Sequence, residues 1–442
     1  MIALVALHTP YVNGPYYWVW GWQRLPFWRA WPGLLFAAVP LFLAQLVHDR
    51  SATPSRGRLA VALGCLMMAA LVLQLNTLVI AAGRQAPDRL WTLVEDGRVT
   101  SYYTDALLTS KVLPQFNNWF AWFPEFIGRL HIHARNKPPG SMLYYLSFAR
   151  VFSTANHQAS SIAGLTLGVI ATAAIPAVFF LARALGRSVS AAFFAASAMA
   201  VCPGFVLFFP ELDQVYAGAS ALVIGAWVMA LRRSSYWWAL ACGLLLAIIC
   251  FFTFNLLVLG WFMAGAAIYF WRVARIVSLR RTVEAGTIVV ACIVLFHVAL
   301  RLALHYDVLA TFKAAVANQT AFAANVPRPY PQTVLFDLLD YALGLGWMSA
   351  VLFVGARPRA AGEDRAFRWL SFSQLFVVAA GALLAVETAR VWIFLFPLAL
   401  PAVGARLSAW SPRQRAAFFA IALVTLVVMG QNMTFFSLSP EG

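Results

Sequence analysis

Apolar runs of about a bilayer's width, separated by short polar turns, recur along nearly the whole chain. They fall at residues 33–48, 59–82, 161–182, 190–209, 216–231, 236–252, 254–271, 282–303, 334–355, 367–386, 391–405 and 416–436. A helix of about 20 residues crosses a hydrocarbon core of about 30 Å. The pattern therefore predicts an all-α, polytopic membrane protein of about twelve transmembrane helices, with residues 1–442 forming one integral-membrane domain. The stretch 236–271 reads either as two short helices meeting near Thr253–Asn255 or as one bent element. No internal repeat is visible by eye, which counts mildly against a repeat-built transporter.

Composition agrees. Hydrophobic residues make up 62% of the chain and charged residues 11%, against roughly a quarter charged in soluble domains. A water-facing surface cannot be built from so few charges. The excess of 32 Lys and Arg over 16 Asp and Glu would suggest nucleic acid in a soluble protein. Its distribution says otherwise. Eighteen of the 32 basic residues lie in six short loops, each following an odd-numbered run: Arg50/Arg56/Arg58, Arg183/Arg187, Arg232/Arg233, Arg272/Arg275/Arg280/Arg281, Arg357/Arg359/Arg365/Arg368 and Arg406/Arg413/Arg415. The positive-inside rule places these loops in the cytoplasm and both termini outside. No nucleic-acid partner is expected. Cys65, Cys202, Cys242, Cys250 and Cys292 all fall within apolar runs at no metal-binding spacing, so small core residues are expected. Residues 1–7 are too short for a cleavable leader, and the aromatic segment within 1–32 reads as an interfacial belt.

The outer side then carries two sizeable loops, 83–160 and 304–333. In the first, Asp105 stands alone among apolar and hydroxyl residues after Tyr102 and Tyr103. Partial desolvation there would raise its pKa and fit it to act as a base toward a hydroxyl; a helix cap or a solvated acid is the plainer alternative. Further on, His131, His133, Arg135 and Lys137 precede Pro138-Pro139-Gly140. The prolines end any preceding helix, and Ser141–Val151 is apolar, aromatic and too short to span. Cations ahead of such an interfacial helix lie at lipid-phosphate depth, or merely attract anionic lipid. His131 and His133 lack a third ligand at helical spacing, so no metal site is assigned.

Glu211 and Asp213 sit at the outer end of a run, costly unless used or paired. Glu387 and Arg390 stand three apart in the turn Glu387–Trp392. They make either a simple salt bridge or an arrangement in which Glu387 orients Arg390's paired donors toward a phosphate. Asp337 and Asp340 are expected in the first turn of the ninth helix, where acids favour the dipole.

The isolated Asp105, the Lys137-Pro138-Pro139 motif before a short aromatic helix, the outer acid at Glu211 or Asp213 and the stretch Glu387–Trp392 together resemble the GT-C superfamily of integral-membrane glycosyltransferases. The likeness is greatest to the branch containing protein O-mannosyltransferases and the aminoarabinose transferase that modifies lipid A. It covers residues 84–215 best. The chain departs from the family in having two runs before the motif Asp and no paired acid beside it, which leaves any divalent metal requirement open.

The resemblance implies transfer of a sugar from a polyprenyl-phosphate donor to a hydroxyl of a glycan, lipid or protein acceptor, with inversion, on the outer face of a bacterial inner membrane. Asp105 would be the general base. Lys137, Arg135 and Arg390 would hold the phosphate, with His131, His133, Glu387, Tyr102 and Tyr103 lining the site and Glu211 or Asp213 orienting the acceptor or sugar. Membrane lipid is the other expected partner. A flippase or exporter of a lipid-linked glycan, or an O-antigen ligase or polymerase, is the alternative. A transport path predicts charges at mid-depth, whereas Glu284 and Arg301 both lie near the ends of their run.

Overall fold

A computed structural model describes residues 5–8, 21–49, 55–113, 115–325, 329–355, 362–382 and 387–434. Arg50, Arg357, Arg359 and most of the aromatic belt before Gly21 lie outside the described residues. The protein is helical nearly throughout. The departure from all-α is a two-residue antiparallel pairing of Gly21–Trp22 with Met433–Thr434, which ties the N-terminal segment to the end of the last helix.

Among the described residues, seven helices are long and apolar enough to cross a membrane: Phe27–Asp49, Arg56–Glu95, Gln158–Ala184, Asp213–Arg232, Asn255–Val273, Leu279–Leu304 and Pro412–Asn432. The expected span at 334–355 is a helix pair, Gln332–Leu345 and Trp347–Gly355, bent by 111° at Gly346. Gly346 has φ +89°, a conformation that suits glycine. The remaining expected spans appear as the shorter helices Val189–Ala200, Tyr236–Cys250 and Ile393–Ser408 and as Glu363–Ala380. At 1.5 Å per residue, helices of 12 or 15 residues fall short of a bilayer core of about 30 Å. Asp337 and Asp340 lie beyond the first turn expected for them, because their helix begins earlier, at Gln332.

Asp213–Arg232 is the hub, with 83% of its apolar window buried, whereas Leu279–Leu304 has 17% buried and turns Leu295 and Leu302 outward. A peripheral helix that is apolar on its exposed face suits lipid rather than water. Four helices begin with a serine side chain capping the first turn: Ser55, Ser188, Ser278 and Ser411, the last in a reciprocal box with Gln414. All four stand in or beside basic loops, satisfying otherwise orphaned N–H groups where the chain turns back into the bundle.

On the opposite side, the long loop is itself folded. Its helices include Ala86–Glu95, Tyr102–Val112 and Gly140–Val151. The second loop contains the helix Val308–Asn325, which docks on the first through Asn318 to the Arg135 carbonyl at 2.9 Å and Gln319 to Asn136 at 2.8 Å.

Candidate active site

The stretch 236–271 resolves into two helical pieces, with the break at residues 251–254. A broken helix leaves carbonyls without intrahelical partners, and the long loop supplies them. The Gly140 amide donates to the Phe251 carbonyl at 2.9 Å, and the Ser141 hydroxyl donates to the Phe252 carbonyl at 2.9 Å. A Cβ at position 140 would stand 2.4 Å from the Phe251 oxygen, so only glycine permits this approach. Pro138 and Pro139 end the short turn Ala134–Asn136, and Lys137 runs extended into the junction. There its Nζ donates to Thr253 Oγ1 at 3.2 Å and lies 5.5 Å from the centre of the Tyr216 ring.

The facing wall is the turn that carries Arg390. Thr388 donates to Asp340 Oδ2 at 3.1 Å. The Ala389 carbonyl rests between two glycines, and a Cβ at Gly204 or Gly344 would come within 2.5 or 2.6 Å of its oxygen. Glu387, with φ +51°, pairs with Arg390 Nη2. So fixed, the buried guanidinium reaches Glu211 Oε1 at 2.6 Å through Nη1 and His133 Nδ1 at 3.3 Å through Nη2.

Asp213 lies between the two cations. Its Oδ1 is 3.6 Å from Lys137 Nζ and its Oδ2 is 3.8 Å from Arg390 Nε. These are ion-pair distances, not hydrogen bonds. Asp213 Oδ1 and Arg390 Nε, both buried, have no hydrogen-bond partner. Burial lowers the Lys137 pKa, opposed by Asp213. Burial pushes Glu211 up to about 8, against the pull of Arg390. Burial also disfavours the Arg390 cation, but Glu387, Glu211 and Asp213 outweigh it and hold the charge in place.

Thus Lys137, Glu211, Asp213, Glu387, Arg390 and His133 come together from three distant stretches of chain. Tyr102 adjoins them, within electrostatic range of Asp213, Glu211 and Arg390. Asp105 and His131 form a separate pair. The His131 amide donates to Asp105 Oδ2 at 3.1 Å, and its Nδ1 lies 2.7 Å from Asp105 Oδ1. Tyr103 packs edge-on against Tyr145, with Glu95 the charge nearest in effect. Arg135 turns back to donate to the Leu130 carbonyl at 3.1 Å, and none of these contacts carries it into the cluster. Thr253, Tyr216 and the cradling Gly204 and Gly344 were not singled out from the sequence, nor was Asp340's hold on Thr388. Among the described residues, no group of three or more His, Cys, Asp or Glu side chains is arranged to hold a metal ion.

An apolar cavity of about 360 Å³ opens at the bent helix pair, lined by Val201, Pro203, Trp347, Met348, Phe418 and Ile421 among others. Its wall at Pro203 continues into Gly204, which supports Ala389.

No protein-family model and no curated protein matches the chain. Among solved structures, it is similar to the crystal structure of ArnT from Cupriavidus metallidurans in the apo state, with 13% identity and a TM-score of 0.46. The match covers 73% of this chain and 61%, less than two thirds, of that one. A likeness that distant assigns no activity to this chain.

Proposed function

We propose that the protein is a membrane glycosyltransferase that takes a sugar from a polyprenyl-phosphate donor and passes it to an acceptor hydroxyl. The observation that carries the reading is the pair of buried cations, Lys137 and Arg390, flanking Asp213 without hydrogen-bonding to it. Arg390 Nε is unspent, and an ammonium has three donors, of which Lys137 gives one to Thr253. Two fixed cations with donor capacity in reserve suit a phosphate that gains charge as it leaves, where such electrostatic stabilisation contributes most to the rate.

In this reading the phosphate oxygens take Arg390 Nε and the remaining Lys137 donors. The attacking hydroxyl loses its proton to the Asp105–His131 pair, and the sugar inverts at its anomeric carbon in one displacement. The prenyl chain lies along the apolar cavity behind the Arg390 turn. Glu211, which burial raises to about 8, holds its proton at neutral pH and so leaves Arg390 and Lys137 more of their charge for an arriving phosphate.

The test uses purified protein in nanodiscs with a panel of radiolabelled polyprenyl-phosphate sugars and crude envelope extract as acceptor. Release of polyprenyl phosphate by the wild type, lost in Lys137→Met, is the expected result. Binding of labelled lipid without consumption of any donor would move the protein to the transport class.

A further inference from the structure

We infer that His131, positioned by Asp105, is the group that takes the proton from the acceptor hydroxyl; this inference rests on the transferase reading above. The Asp105 side chain is 2% exposed and that of His131 45% exposed, so the imidazole and not the carboxylate presents itself to an incoming molecule. An ionised carboxylate only accepts hydrogen bonds. With Asp105 Oδ1 at 2.7 Å, the hydrogen therefore lies on Nδ1 of the neutral ring and the lone pair is left on Nε2. The backbone amide of His131 is tied to the same carboxylate, which fixes both ends of the residue. The ring lies against Gly97, where a Cβ would stand 3.1 Å from Nε2.

His133 is arranged in the opposite sense. A guanidinium only donates, so the Nδ1 that faces Arg390 at 3.3 Å carries no hydrogen. Burial and Arg390 together push that imidazole down to about 4, and it cannot store a proton at neutral pH. Two histidines two residues apart thus hold opposite tautomers, and of the two it is His131 whose half-exposed ring is backed by a carboxylate.

The placement fits. The amides of Ala134 and Arg135 both donate to the His131 carbonyl, so His131 and His133 share one tight turn, and His133 touches Arg390. Tyr102, one helical turn before Asp105 on the same helix, adjoins the charged cluster. In the step, the acceptor oxygen bonds to the anomeric carbon while its proton passes to His131 Nε2. The bond from that carbon to the phosphate oxygen breaks, and its electron pair leaves with polyprenyl phosphate. Asp105, a positioning residue, stabilises the resulting imidazolium.

The experiment compares wild type, Asp105→Asn and His131→Ala in nanodiscs. Loss of a general base predicts that kcat falls about 10²–10⁴-fold in both variants, with donor affinity retained and His131→Ala partly rescued by added imidazole. Wild-type kcat in either variant, or no rescue of a folded His131→Ala protein, would overturn the inference. A second measurement needs no turnover. Diethyl pyrocarbonate, which an unprotonated imidazole nitrogen attacks, should modify half-exposed His131 well ahead of buried His133 at neutral pH, and Asp105→Asn should slow the reaction at His131 severalfold. An unreactive His131 would remove the proposed lone pair. If the wild type consumes no donor, the base role falls with the transferase reading, and a reactive His131 would show that the dyad itself is intact.

Discussion

The two ends of the bundle handle charge differently. On the basic-loop side, each of three arginines has its own carboxylate: Arg187 with Asp364, Arg232 with Glu363, and Arg415 with Asp49 at 3.1 Å. Arg415 also lies over the Phe194 ring at 4.5 Å. These pairs fasten the start of the Glu363–Ala380 and Pro412–Asn432 helices to their neighbours. On the loop side, Lys137 and Arg390 share Asp213 at 3.6 and 3.8 Å, just beyond hydrogen-bond length, while Arg390 closes on Glu211 at 2.6 Å and on Glu387. One-to-one pairing holds helices in place. Shared pairing sets two cations around one carboxylate, the feature on which the proposed phosphate site rests.

The sharpest way to break the comparison is Arg390→Met. It removes the guanidinium with which Glu211 and Glu387 are paired, and breaking a buried pair typically costs about 3–5 kcal/mol. Donor turnover should also fall about 10²–10³-fold, as when a donor to developing charge is removed. Thermal melting and donor release on the same preparation separate the two effects, and a variant that melts low yet turns over normally would make Arg390 purely structural.

Next comes Gly344→Ala. Its Cβ would meet the Ala389 carbonyl at 2.6 Å, so the turn must shift without any change in charge. A displacement of about 1 Å at a positioned group can cost about 10²-fold, and a loss of turnover in that range is expected, with Arg390 intact.

A smaller effect follows from Glu211. Its folded pKa, about 8, lies above the 4.5 of a free glutamate side chain. Between those values the folded protein binds more protons than the unfolded chain, so this group's contribution to stability is full below the unfolded pKa and is lost as pH rises through about 8. Donor binding should weaken over the same alkaline limb, because an ionised Glu211 opposes a phosphate. Isothermal titration with a donor lipid at pH 7 and pH 9 reads the difference, and Glu211→Gln should remove it.

The smallest effect is expected on the basic-loop side. Asp364→Asn should lower stability by about 1 kcal/mol or less, as for other partly exposed pairs, and leave turnover unchanged. A large loss of turnover there would end the distinction between the two sides.

How much of this could be read from the sequence depends on how local each signal is. The motif Lys137-Pro138-Pro139-Gly140 announced a chain stop before a short helix, and the helix Gly140–Val151 follows it. Glu211, Asp213, Glu387 and Arg390 stood out because charge at the end of an apolar run is costly. Which of them would meet was not legible. Arg390 and Glu211 are 179 positions apart, and Arg390 and His133 are 257 apart. Arg135 and Lys137 looked equivalent on paper. The turn at Ala134–Asn136 sends one back to a carbonyl and the other into the site. Gly204, Gly344 and Gly97 act by what they lack, which a single sequence does not display. The run expected at 190–209 was overextended, its helix ending at Ala200, because apolar patterning continues through bends that backbone geometry, not hydropathy, decides.

The break at Phe251–Phe252 also bears on assembly. A bare carbonyl at the end of an apolar helix would cost several kcal/mol within lipid; Phe252 also receives the Tyr216 hydroxyl at 3.4 Å, but the partner of Phe251 is the Gly140 amide, in the segment that delivers Lys137. The membrane-embedded half therefore has no fully satisfied state until the long loop has docked. Completing the bundle and bringing Lys137 into place are coupled through a single stretch of backbone, residues 137–141.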